Sequence, residues 1–384
     1  MAATAATTAA ATGSSNASAL LARLHPELYL SNHLAHSSRS SSSTSSPLTF
    51  PQVDLNLGPI SSSSSSANRT AGIPSPSALV KYGSTTVICN ITPSIVYPSA
   101  AESSSSSSSS SSRASSSSSS TIIPSISLTP LSSPSNDFKS GAPSNYAQAT
   151  TERLFSFLDA AMPFEPSVLH IPTDLVAADD SAGKEAVQSG SSGSGGRVRA
   201  KWTLFADCVV IGFDGALLET CMLAIIAALR QVHLPKAVYS MDENVVIASP
   251  SAADYWSLKS KMTSLPLAFS MGIYKGTLLL TPSSFESDLL SSCIQLSLSY
   301  PNTAGSSTTL QQQKPVLSAL HSTGPLSATN VKNTSAGGGT GTVGAAEDED
   351  LIAVCVQMAA VKGAEIVRLM EGKEEELLKL ARGA

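Results

Sequence analysis

The stretch Lys201–Pro235, KWTLFADCVVIGFDGALLETCMLAIIAALRQVHLP, constrains the fold of this chain more than any other. It opens with Trp202, Leu204 and Ala206 in alternation and merges into the apolar run Cys208-Val209-Val210-Ile211. That pattern predicts a strand entering a sheet covered on both faces. Asp214-Gly215 then breaks the run with turn chemistry. From Leu217 to Leu229 the only charge is Glu219. Leu218, Met222, Ile225, Ile226 and Leu229 recur at helical spacing, while Cys221, Leu223, Ala224, Ala227 and Ala228 fill the other side. A helix that is apolar all round is buried all round. The uncharged run Cys221–Leu229 is too short to cross a bilayer, which takes about 20 residues. The stretch therefore reads as a central strand, turn and helix of a mixed α and β core.

The length available to that core is less than the 384 residues of the chain. Serine tracts occupy Ser61–Ser66, Ser103–Ser112 and Ser115–Ser120, and residues 1–19 are almost wholly Ala, Thr, Ser, Gly and Asn. Such segments bury too little surface to offset chain entropy, so residues 1–19 and insertions at about 99–121 and 177–196 are expected to be disordered. Roughly 230–260 residues remain, enough for one large domain or two small fused ones. Net charge is −5 with 13% charged residues and no long basic block, which excludes a strong nucleic-acid footprint of the chain's own. The five cysteines Cys89, Cys208, Cys221, Cys293 and Cys355 form no CxxC pair and sit in or beside apolar runs, as buried reduced thiols do. The N-terminus lacks the pattern of a secretory signal, and Arg23 alone is too little basic character for a mitochondrial leader.

Along the chain, Leu20–His36 predicts a helix through Leu20, Leu21, Leu24, Leu28 and Leu34, with Pro26 in its first turn. Val53–Gly58 alternates like a short strand, and Ser77–Tyr97 predicts a hairpin hinged at Gly83-Ser84. Asn145–Ala161 carries Leu154, Phe157, Leu158 and Ala161 on one helical stripe. Residues 238–249, VYSMDENVVIAS, give no clear reading. Leu265–Pro282 predicts a second hairpin turning near Tyr274–Gly276, with Cys293–Ser299 and Pro315–His321 completing a meander. A Gly-rich loop, 323–346, leads to a last helix with Glu347-Asp348-Glu349-Asp350 at its positive end and an apolar face of Leu351, Val354, Cys355, Met358, Val361, Ile366, Leu369 and Met370. The two halves, 20–235 and 236–384, echo each other, which points to an α+β or α/β pseudo-repeat rather than one doubly wound sheet.

Chemistry-bearing patterns are sparse. His25, His33, His36, His170, His233 and His321 have no metal-ligand spacing, so neither a metal nor a cofactor is expected. Residues 337–344, GGGTGTVG, lack the GK[ST] of a phosphate loop, and no GxSxG marks a nucleophile. Asp207 and Asp214 flank a strand seven residues apart, on opposite faces. Arg197, Arg199 and Lys201 form the one dense basic spot, alternating so that all three face one side of a strand with Trp202 opposite. They fit contact with RNA phosphates or an acidic partner, or simply a solvated strand edge.

The segments SALVKYGSTTVICNI, PSISLTP, FKSGAP and ADCVVIGFDGALLETCMLAIIAALRQVHLP, followed by LPLAFSMGIYKGTLLLTP, CIQLSLS, PVLSALH and the last helix, resemble the RNase PH-like ring subunits of the eukaryotic RNA exosome from about Leu24 to Glu371. The resemblance implies an α+β fold of duplicated βαβα units, ribosomal protein S5 domain 2-like. Catalytic members are phosphorolytic 3′→5′ exoribonucleases with an Asp-Gly-Gly-Thr-Arg-Thr-like segment after the central strand. Here that segment is Asp214-Gly215-Ala216-Leu217-Leu218-Glu219, without the arginine. Their Asp-x-Asp-type pair matches Leu280-Thr281-Pro282, without a carboxylate. Losing both removes the charge stabilisation such chemistry uses. The Arg-Pro-Asp-Gly-Arg motif is reduced to Arg39, and beside Phe138 only Lys139 remains as a cation for RNA. The resemblance thus implies a non-catalytic subunit with Asp214, Gly215 and Glu219 as a degenerate former active-site turn. It would sit in a hetero-hexameric ring under S1/KH cap subunits, passing RNA to an associated nuclease in rRNA maturation and mRNA turnover, in nucleus, nucleolus and cytoplasm, with no membrane. An active phosphorolytic exoribonuclease with a diverged site is the alternative, and a Ser-rich adaptor outside any exosome a third.

Overall fold

A computed structural model describes residues 20–37, 49–58, 76–98, 121–133, 136–139, 141–173, 199–302, 314–325 and 348–383. The stretches expected to be disordered lie almost wholly outside the described residues, as do Arg39 and Arg197.

The first sheet has the order β1-β2-β3-β6-β4, formed by Val53–Leu57, Ser77–Tyr82, Thr85–Val96, Ala200–Gly212 and Ile122–Leu128. The short β5, His170–Ile171, pairs with the start of β6. Only β4 runs parallel to β6, and the other pairings are antiparallel. β6 is fully buried from Ala200 to Leu204 and then alternates, turning Asp207, Val209 and Ile211 outward. The expected coverage of both faces thus holds only for its first half. The sequence reading is corrected at Ile211 and Val209, which lie on an open face.

The second sheet has the order β12-β11-β13-β14, formed by Thr277–Leu280, Ser264–Tyr274, Ser292–Pro301 and Val316–Thr323. It is not a simple meander. After β12 the chain passes through the short helix α4, Ser284–Ser287, and returns on the other side of β11, which leaves β12 at an edge. Lys275 and Gly276 both take positive φ in the β11–β12 turn, the geometry of a two-residue hairpin loop. Residues 238–249 form most of a small hairpin, β8 at Ala237–Ser240 and β9 at Val245–Ala248, beside two short strands, β7 at His233–Pro235 and β10 at Tyr255–Ser257.

Helix α3, Leu217–Leu229, lies between the two sheets, touching β2 and β3 on one side and β11 on the other. Every one of its residues is buried, as its all-round apolar sequence requires. Each large side chain buried there contributes about 1.5–3 kcal/mol. Helix α2, Asn145–Ala161, begins on a Ser144 side-chain cap and packs Leu154, Phe157 and Leu158 inward.

Two helical faces differ from their sequence reading. In α1, Pro26–Ser37, the buried residue is Leu30, against Tyr274 and Leu279, with Leu34 partly buried. Leu20, Leu24 and Leu28 are exposed. In the last helix α5, Asp348–Gly383, Leu351, Cys355, Ala359, Ile366, Val367 and Met370 are buried, whereas Val361 is 76% exposed. The small residues Ala359 and Gly363 set this face. A Cβ at Gly363 would overlap the Tyr300 ring and hydroxyl, which donates to the Ala359 and Ala360 carbonyls. The cysteines prove less scattered than their spacing implied: Cys89 and Cys208 face each other across β3 and β6, and Cys221 lies beside them in the core.

Candidate functional site at the turn before the central helix

β6 delivers its last residues to a cleft of about 540 Å³ where the two sheets meet at the start of α3. The turn at its floor is closed by Thr85 from the β2–β3 hairpin. The Thr85 hydroxyl accepts from the Asp214 N–H at 2.9 Å and donates to the Gly215 carbonyl at 2.5 Å. From the start of α4, the Ser284 hydroxyl and N–H donate to Asp214 Oδ1 at 3.0 and 3.4 Å. Gly215 has φ +81°, and a Cβ there would collide with the Pro282 carbonyl. Ala216 follows in the left-handed region as an N-cap that supplies no side-chain hydrogen bond. The first N–H groups of α3 therefore lack a capping side chain, at the positive end of its dipole.

Glu219 sits in the first turn of α3 and lines the cleft at 4% exposure. Burial pushes its carboxyl above the usual range, the Ser270 hydroxyl and nearby backbone N–H groups only partly opposing this, and Oε1 has no hydrogen-bond partner. The cleft also holds a cation that the sequence reading missed. Arg153 projects from α2 and its Nη1 donates to Gln295 Oε1 at 3.3 Å. Asp137 and Asp288 complete the charged lining among the described residues. An aromatic wall is made by Phe138 and Tyr146 against Phe213, at 4.8 and 6.0 Å between ring centroids. Leu280 and Thr281 are buried in the β12 end and, as read from sequence, bring no carboxylate.

The structure thus brings Asp214, Gly215 and Glu219 together. Lys139 follows Phe138 of the aromatic wall and is exposed. The basic spot does not join them. Arg199 is exposed before the start of β6, far along the strand from the turn. Lys201 does not share that exposure: it is 5% exposed, held in the sheet between Val96 of β3 and His170 of β5. Its proposed place at an RNA-facing surface is corrected, because β5 covers the strand edge on which it was read as solvated. Among the described residues no group of metal-ligating side chains occurs, and no helix is long and apolar enough to cross a membrane.

Residues 52–235 match the model of the 3′ exoribonuclease family, domain 1. Over 213 residues the chain is 24% identical to the exosome complex component rrp43 of Schizosaccharomyces pombe, a match that covers 56% of this chain and spans 63% of that relative's length. Among solved structures, an Archaeoglobus fulgidus exosome with RNA bound to the active site aligns with TM-score 0.49 at 16% identity, over 88% of this chain and 95% of that one. Rice (Oryza sativa) Rrp46 aligns with TM-score 0.41 at 12% identity, over 85% and 95%.

Proposed function

We propose that this chain is a non-catalytic RNase PH-like subunit of an exosome-type ring, supporting 3′→5′ RNA processing by shaping the path of RNA rather than cutting it. The similarity to an exosome component supports the assembly, and the charge of the cleft supports the lack of catalysis. Its described lining sets Arg153 against Asp137, Glu219 and Asp288, a balance that opposes a phosphate anion. The turn that a phosphate would approach is instead met by Ser284 of α4 and by Pro282 of the loop between β12 and α4. In this reading the former active-site turn joins two halves of one core. Its partners are homologous ring subunits, S1/KH cap proteins and a separate nuclease, working in nucleus, nucleolus and cytoplasm without a cofactor. Among the described residues, Lys139 and Arg199 are the RNA-contact candidates at the surface.

Arg153 and the uncapped start of α3 favour a second reading, phosphorolysis through a displaced cation. The two are separated by incubating a single-stranded RNA with inorganic phosphate and the purified protein, alone and paired with one RNase PH-like homologue. The proposal expects no nucleoside diphosphate attributable to this chain, so that Arg153→Ala leaves the output of the pair unchanged. Diphosphate release by the chain alone, or its loss in the Arg153→Ala pair, establishes the second reading.

A further inference from the structure

A second pocket, of about 420 Å³, opens away from the turn, where β5 and the start of β6 meet the β7, β8 and β10 strands. Its walls are Val168, Ile171, Pro172, Pro235, Ala237 and Val238. The chain has two tryptophans, and both, Trp202 and Trp256, line this pocket. At its mouth are Lys236 and Lys261, both exposed and neither in an ion pair with a described carboxylate. Arg199 precedes Ala200, the register partner of the wall residue Ile171, and adds a third exposed cation to this side. Two acids lie nearby, Asp254, whose backbone carbonyl accepts from the Lys236 N–H at 3.1 Å, and Glu165, whose charge reaches His170 of the pocket lining, so the three cations outnumber them.

We propose that this pocket docks a short acidic segment of a partner protein, with one aromatic or large aliphatic side chain seated against the tryptophans and flanking carboxylates on Lys236 and Lys261. The pocket is walled by aliphatic side chains and prolines, and Trp202 is only 8% exposed. It therefore offers a socket for one apolar side chain rather than an open stacking platform for successive bases. A buried aromatic anchor ringed by charge is how a few residues come to carry an interface. The cations at the rim, on a chain of net charge −5, select an acidic sequence around the anchor.

Because both tryptophans line the pocket, intrinsic fluorescence of the full chain reports its occupancy. The probes are a peptide with one phenylalanine among aspartates and glutamates, the same peptide with lysines in place of the acids, and oligouridine RNA. The acidic peptide is expected to give a saturable change in tryptophan emission that weakens with salt. Its Kd should rise about tenfold in the double variant Lys236→Glu, Lys261→Glu and return toward wild type in Lys236→Arg, Lys261→Arg. Both lysines are exposed, so circular dichroism of the variants should match wild type. The proposal is overturned if the acidic peptide gives no saturable change, if charge reversal leaves its Kd unaltered, or if the lysine peptide or the RNA binds at least as tightly.

Discussion

At Gly215 the chain combines a positive φ with close approach of the backbone between β12 and α4. A Cβ there must displace the Pro282–Ser283 backbone as well as occupy a region that L-residues avoid. Gly215→Ala should therefore destabilise the fold by about 1–3 kcal/mol, read as a fall in denaturant midpoint with an unchanged m-value. Four residues on, Glu219 makes a prediction with a definite sign. Its folded pKa is raised by burial, so the folded state keeps its proton longer than the unfolded state does. Stability is then greatest below the ordinary glutamate range and falls as pH rises through that range towards the folded value. Glu219→Gln should flatten this slope and raise Tm at neutral pH by about 2–4 °C for each kcal/mol gained. An unaltered slope would show that Glu219 is not the group responsible. The turn itself was legible in Asp214-Gly215, whereas Arg153 was not. It stands more than 60 residues earlier on a helix whose apolar stripe alone was conspicuous, and only the packing of α2 against the second sheet brings it to the cleft.

The elements were read most securely where periodicity was strong. Leu217–Leu229 could only be a buried helix, and the hairpins at Ser77–Val96 and Ser264–Leu280 followed from β-prone runs broken by glycine turns. What failed was the choice among faces and neighbours. Val361 lies within the apolar pattern of α5 yet points outward, because the seam against β13 follows Ala359 and Gly363, residues too small to stand out in a hydrophobic stripe. The same helix carries a buried ion network that no local pattern announces. Glu374 receives Arg230 from the end of α3 in a two-pronged contact and Lys259 at 2.6 Å. Burial raises the Glu374 carboxyl, but hydrogen bonds and charge from Arg230 and then Lys259 outweigh it and leave the pKa below the usual range. This contribution is present above the ordinary glutamate pKa and is lost as pH falls through the lower, folded value. Glu374→Ala leaves Arg230 buried without its partner and should cost about 3–5 kcal/mol at neutral pH, measured by denaturant unfolding. A cost below 1 kcal/mol would mean that α5 is held by its apolar seam alone.

For the whole molecule, the sequence showed an echo of two hairpin-and-helix halves, and the structure resolves it into two sheets sharing α3, with a single main core drawn from both. How β12, α4 and β13 thread around β11 was hidden, because sequence order alone does not say on which side of a strand the chain returns. Under the proposed function this chain holds position among homologous subunits rather than handling RNA alone. The most direct test is the native mass of the assembly recovered with the tagged full-length chain under gentle lysis. A hetero-hexameric ring containing one copy of this chain beside other RNase PH-like subunits is the predicted result. Recovery of the chain alone, or only with proteins lacking an RNase PH-like fold, would contradict the account.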